Sequence, residues 1–201
     1  TGEAIDAFRR EHRVSGSLYL QAGRLVPCKG CLPLLEAWAG SAGRSGRATL
    51  LFAGDGEERP ALERWCCDNG VDSVRFAGAI PYDELPRAYA AADLLVSASL
   101  EDNWSLVVPE AMACGLPVLC STGNGCWPEL VHPDVNGWVF DPQDGAAFRA
   151  ALQSALDAAA HLPEMGAASR RIVAEFTPGT AAASIRDACR MAVTQRQGRA
   201  S

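Results

Sequence analysis

The 201 residues suffice for one domain or one large lobe with a real core, and 48% hydrophobic against 21% charged residues is the balance of an ordinary globular chain. A formal charge of −6 argues against broad nucleic-acid binding, which needs clustered Lys and Arg. Eight cysteines are too thinly spread for a disulfide scaffold, no stretch has signal-peptide order, and no apolar run reaches the ~18–20 residues of a membrane span, so a cytoplasmic setting is expected. Peripheral contact with the cytoplasmic face of a membrane stays open.

Residues Thr1 to Arg13 are polar and read as a connecting helix, within a leading linker of residues 1–16. "SLYLQAGRL" (17–25) then reads as a first strand ending in a glycine turn, and "CLPLLEAWAGS" (31–41) as an amphipathic helix. "ATLLFAGDG" (48–56) is a second strand, "RPALERWCCDNG" (59–70) a helix stopped by Gly70, and "SVRFAGAI" (73–80) a third strand. "YDELPRAYAAA" (82–92) is a helix whose first turn or break falls at Pro86. "DLLVSAS" (93–99) and "LPVLCS" (116–121) are a fourth and fifth strand around a helix near Leu106 to Cys114, and "NGWVF" (136–140) is a short sixth. Ala-rich segments from Asp144, Glu164 and Thr180 onward, punctuated by Pro163 and Pro178, form a helical tail, with residues 196–201 expected to fray.

Strands alternating with helices imply an α/β fold, a Rossmann-like doubly wound parallel sheet of about six strands with a helical C-terminal tail. In such a sheet the ligand lies beyond the carboxyl ends of the strands. Gly23 to Gly30, Gly54 to Gly56, Gly78, Ser99 to Ser105 and Ser121 to Gly125 all fall at those ends, so one crevice is expected there. Cys28 and Cys31 have CxxC spacing, but the neighbouring Cys66 and Cys67 are poorly placed to complete a zinc tetrahedron, and no metal site is expected.

"GRLVPCKG" sets Arg24 and Lys29 five residues apart in the loop after the first strand, where a planar fork and a point charge could flank a diphosphate. Two solvated loop cations are the plain alternative. "EDNWSLVVPEAMA" adds acids on both sides of a helix start. Pro109 is tolerated only in a first turn, so the helix begins near Leu106 with Ser105 or a neighbour as cap, and the first amides attract an anion. Glu110 then points into the crevice near the helix N-terminus, unless it serves only the helix dipole. Ionised carboxylates accept hydrogen bonds from vicinal diols: Glu110 suits a ribose, and Asp102 or Glu101 a hexose.

The order "GRLVPCKG", "LLFAGDGEERPALE", "VRFAGAI", "AYAAADLLVSAS", "EDNWSLVVPEAMACGLPVL", "WPELV" and "NGWVFDPQD" resembles the C-terminal donor-binding domain of B-type two-domain glycosyltransferases, specifically glycosyltransferase family 4, from about Ser17 to Val193. The resemblance implies a retaining transfer from a nucleotide diphosphate sugar to a hydroxyl acceptor, usually without an essential metal and with no other cofactor. Arg24 and Lys29 match the family's diphosphate-binding cations. Glu110 matches the second acid of its paired-glutamate motif, on the ribose, and Asp102, with Glu101 before it, the first, on the donor sugar. Gly23 lies in the matching loop after the first strand, and backbone groups around Phe76 and Gly78 face the nucleobase. Asn103, Trp104 and Ser105 stand where the family commonly has glycine, aromatic, glycine, so side chains occupy the wall that leads to Leu106 and Val107.

The resemblance assigns residues 17–195 to donor binding and leaves the N-terminal acceptor domain, for a glycan or lipid, outside the chain; nucleotide binding with little turnover is expected. Two other readings are a non-catalytic nucleotide-binding or assembly module, favoured by Asn103 and Ser105, and a dinucleotide-dependent oxidoreductase, disfavoured because no GxGxxG follows the first strand. No general base is evident, since His12, His132 and His161 all read as surface residues.

Overall fold

The computed structural model describes residues 2–41 and 46–198. Six parallel strands, β1 (Ser17–Ala22), β2 (Ala48–Ala53), β3 (Val74–Gly78), β4 (Leu94–Ser97), β5 (Val118–Ser121) and β6 (Gly137–Phe140), lie side by side in the order β3-β2-β1-β4-β5-β6. Both faces are covered, which is why every residue of β2, β4 and β5 is buried and the strands read as continuous apolar runs instead of alternating ones.

On one face, Tyr19, Leu50, Phe52, Leu94 and Val96 pack beneath α2 (Cys31–Ala39), α3 (Arg59–Asp68) and α7 (Gly145–Asp157). On the other, Leu18, Leu20, Leu51, Leu95 and Val118 meet α1 (Gly2–Glu11), α4 (Leu85–Ala91), α5 (Val107–Ala113), α6 (Trp127–Leu130) and α8 (Leu162–Val173). This division follows from handedness. The chain steps from β1 outward to β3, returns to β4 and steps outward the other way, so right-handed crossovers must place the second set of helices on the opposite face. The reversal leaves a gap in the connections between β1 and β4, where β1 pairs with β2 on one side and β4 on the other.

The helix boundaries obey the prolines. Pro60, Pro86, Pro128 and Pro163 all sit in first turns, where the missing N–H costs nothing, and Pro178 opens α9 (Pro178–Gly198). Asp144 caps α7, accepting from the amides of Ala146 and Ala147 at 2.9 and 3.0 Å. The leading segment is helical and packs on α4: Phe8 is buried, Arg87 stands over its ring at 5.5 Å, and the Arg9 guanidinium donates to Ala91 O at 2.7 Å. At the other end α9 continues through Gly198, into the segment expected to fray; Thr1 and residues 199–201 lie outside the described residues.

Candidate functional site

The loop leaving β1 closes in a short 3-10 turn, Pro27–Lys29, whose end at Gly30 has φ 64°. The loop leaving β4 lies against it, since the amides of Leu100 and Glu101 both donate to Cys28 O, at 2.8 and 3.4 Å. Across this seam Lys29 Nζ meets Asp102 Oδ2 at 2.5 Å, with the two side chains 21% and 15% exposed. The second oxygen of Asp102 accepts from the Trp104 amide at 3.3 Å. A cation and an acid 73 residues apart in sequence are therefore paired at the switch between β1 and β4, where an open α/β sheet binds its ligand.

The loop after β5 completes the wall. Asp102 N donates to Gly123 O at 2.9 Å and Gly125 N to Asp102 O at 2.7 Å, so the two loops run as a short parallel bridge. Buried Asn124 donates to Ser97 Oγ at 2.9 Å, and Ser121 Oγ donates to Ser99 O. Gly123 and Gly125 permit this contact, because a Cβ at either position would lie 2.4 Å from Leu100 O or 2.3 Å from Asn103 O. Their smallness serves backbone packing under the Asp102 loop.

Other expected site residues divide by position. Gly23 donates to Ala53 O at 3.0 Å and has open space where a Cβ would stand. Arg24 and Glu101 are exposed, and neither side chain has a hydrogen bond or ion pair among the described residues. Phe76 stacks on Phe52 with ring centroids 5.1 Å apart, so one face of its half-buried ring belongs to packing. Gly78, with φ 78°, faces Arg59, whose guanidinium is held by Asp55 and Glu63 at 3.2 and 2.8 Å. Asn103 and Trp104 are exposed, Ser105 is buried with its carbonyl accepting from Val108, and Leu106 is 66% exposed at the start of α5. The amides of Leu106 and half-buried Val107 carry no hydrogen bond among the described residues, as expected of a helix start.

Glu110 occupies the first turn of α5 but turns toward α4. Its Oε2 accepts from the Tyr89 hydroxyl at 2.9 Å, beside a cavity of about 250 Å³ whose other walls include Tyr82, Leu85, Pro86 and Ala113. No hydrogen bond or ion pair joins it to Lys29 or Asp102 among the described residues. The reason is helical phase: Val108, Ala111 and Met112 face the sheet, leaving Glu110 at the flank shared with Ala113 and Cys114.

Neighbouring chemistry is limited. Glu58, not read from the sequence as a site residue, has a buried Oε2 without a partner among the described residues, and burial, then Glu57, pushes its carboxyl up. Burial, and next Glu58, pushes the Cys31 thiol up to about 12, so at pH 8 it is a neutral thiol. A small alkylating reagent at pH 8 should modify exposed Cys28 and leave Cys31 untouched in the folded protein; peptide mapping that finds Cys31 labelled as fast as Cys28 contradicts this burial. Among the described residues no three His, Cys, Asp or Glu side chains gather as a metal site.

The profile of the family described as "Glycosyl transferases group 1" matches residues 17–158. The chain belongs to that family. As a group 1 glycosyltransferase it is 36% identical over 137 residues to an uncharacterized glycosyltransferase of Methanocaldococcus jannaschii, covering 66% of this chain and 35% of that one. It is 32% identical over 173 residues to the GDP-mannose-dependent alpha-(1-6)-phosphatidylinositol monomannoside mannosyltransferase of Mycobacterium tuberculosis, covering 82% of this chain and 45% of the relative. The chain thus spans less than half the length of these curated relatives.

Among solved structures, Anabaena HepE in complex with UDP superposes with a TM-score of 0.81 at 23% identity, over 95% of this chain and 53% of that one. Sucrose-phosphate synthase of Thermosynechococcus elongatus gives 0.77 at 28% identity, over 97% and 49%. The C-terminal domain of a Francisella tularensis group 1 family protein gives 0.73 at 23%, over 83% of this chain and 89% of that domain. These likenesses bear out the doubly wound fold of a group 1 glycosyltransferase.

Proposed function

We infer that this domain binds the nucleotide diphosphate sugar of a retaining glycosyltransferase, for transfer of the sugar to a hydroxyl acceptor. The observation that carries the reading is the Lys29–Asp102 pair at the sheet's switch point; Arg24, five residues before Lys29 in the same loop, is exposed, and the amides of Leu106 and Val107, four and five residues after Asp102, carry no hydrogen bond among the described residues. Lys29 and Arg24 meet the diphosphate and stabilise the negative charge that builds on it as the glycosidic bond breaks. Asp102 orients Lys29 and, with Glu101, grips the donor sugar, while Glu110 takes the ribose and the backbone at Phe76 and Gly78 borders the base. Bound UDP in HepE and the GDP-mannose dependence named for the mycobacterial relative support a nucleoside diphosphate as the common ligand element. An acceptor glycan or lipid, held by a lobe outside these residues, belongs to the same proposal. Among the described residues no helix is long and apolar enough to cross a membrane.

Calorimetric titration of the chain with uridine, guanosine and adenosine diphosphates tests this. Saturable binding of at least one, weakened by added salt as a charge-based contact requires, is the expected result. Absence of saturable binding to all three leaves the non-catalytic module as the better account.

A further inference from the structure

Glu110 is the one carboxylate in the wall of its cavity, and only half of it is engaged: Oε2 accepts from Tyr89, while Oε1 has no partner among the described residues. Tyr89 reaches it from the buried side. The tyrosine is 2% exposed, sits in α4 against the core, and packs in a layer that continues through Phe8 of α1. A phenol with so little exposed surface offers a ligand little contact of its own, although it borders the same cavity, but its hydroxyl can fix the χ angles of the acid beside it. Burial and the neighbouring Glu110 both push the Tyr89 hydroxyl well up, so it remains a donor throughout the physiological range.

We propose that Tyr89 is a positioning residue, holding Glu110 by one oxygen so that the other is presented to the ribose hydroxyls of the nucleotide. This rests on the donor-binding reading above. Without the phenol, a glutamate in the first turn of a seven-residue helix has several rotamers open to it, and only some leave an oxygen free on the cavity side. A merely structural tyrosine would tie α4 to α5 and affect every ligand alike.

The two roles separate in the discrimination between ribose and deoxyribose. Whichever of the uridine, guanosine and adenosine diphosphates the chain binds is compared with its 2′,3′-dideoxy form, in wild type, Tyr89→Phe, Glu110→Ala and the double variant. Tyr89→Phe keeps the ring and should fold. The wild type should prefer the ribo form by about tenfold, the size of a lost hydrogen bond to a charged group. Tyr89→Phe should cut that preference at least threefold with the dideoxy affinity unchanged, and adding it to Glu110→Ala should change nothing more. An unchanged preference in Tyr89→Phe, or equal weakening of both nucleotides, overturns the positioning role while the donor-binding reading stands. A wild type that binds none of the three diphosphates overturns that reading first and this inference with it.

Discussion

Lys29→Ala should weaken binding of the nucleoside diphosphate by about 10- to 100-fold, the effect of removing a charge-assisted contact to phosphate. It should also destabilise the free domain by about 1–3 kcal/mol, because Asp102, with its side chain only 15% exposed, loses its cation. For a chain of this size each kcal/mol lowers Tm by about 2–4 °C, within reach of thermal unfolding. The two effects can be separated. Adding Asp102→Asn removes the orphaned charge, so the double variant should recover most of the lost stability while nucleotide binding stays weak. Full-strength binding by Lys29→Ala would remove the cation from the diphosphate site and with it the main support for the assignment.

The pairing explains why two adjacent acids differ. Glu101 and Asp102 were indistinguishable in "LEDNW", and nothing local decides between them. The structure does so through a contact 73 residues away: Asp102 faces the β1 loop and meets Lys29, whereas Glu101, the next residue back, points to solvent. The same limit hid Tyr89 from sequence reading. Its partner Glu110 lies 21 residues on, in another helix, and no periodicity encodes which flank of α4 meets which flank of α5. Features governed by local rules were legible. Buried parallel strands gave apolar runs, first-turn prolines marked helix starts, and the glycine clusters marked strand ends. The four-residue α6 was missed for want of length, since a single turn has no period to detect. The crevice glycines showed their place but not their cause. At Gly123 and Gly125 the constraint is a facing carbonyl on the Asp102 loop, a fact of tertiary contact.

The same distinction makes Gly30→Ala a costly substitution at the switch point, at about 2–4 kcal/mol. Gly30 has φ 64°, a region L side chains rarely adopt, and a Cβ there would lie 2.1 Å from the carbonyl of Ala98 at the end of β4. The first strain is intrinsic, while the second forces two backbones apart. Gly23→Ala is the proper comparison, because Gly23 also has positive φ, 124°, yet has open space at the Cβ position. Equilibrium unfolding in urea should give Gly30→Ala a clearly lower midpoint than Gly23→Ala with an unchanged slope. Equal midpoints would mean that the β1 and β4 loops part easily. Because Gly30 follows Lys29 directly, separation at Ala98 also draws the ammonium away from Asp102, so the folded fraction of Gly30→Ala should bind nucleotide more weakly than Gly23→Ala does. The close approach of the two loops at the switch point would then be one constraint acting on both stability and ligand binding.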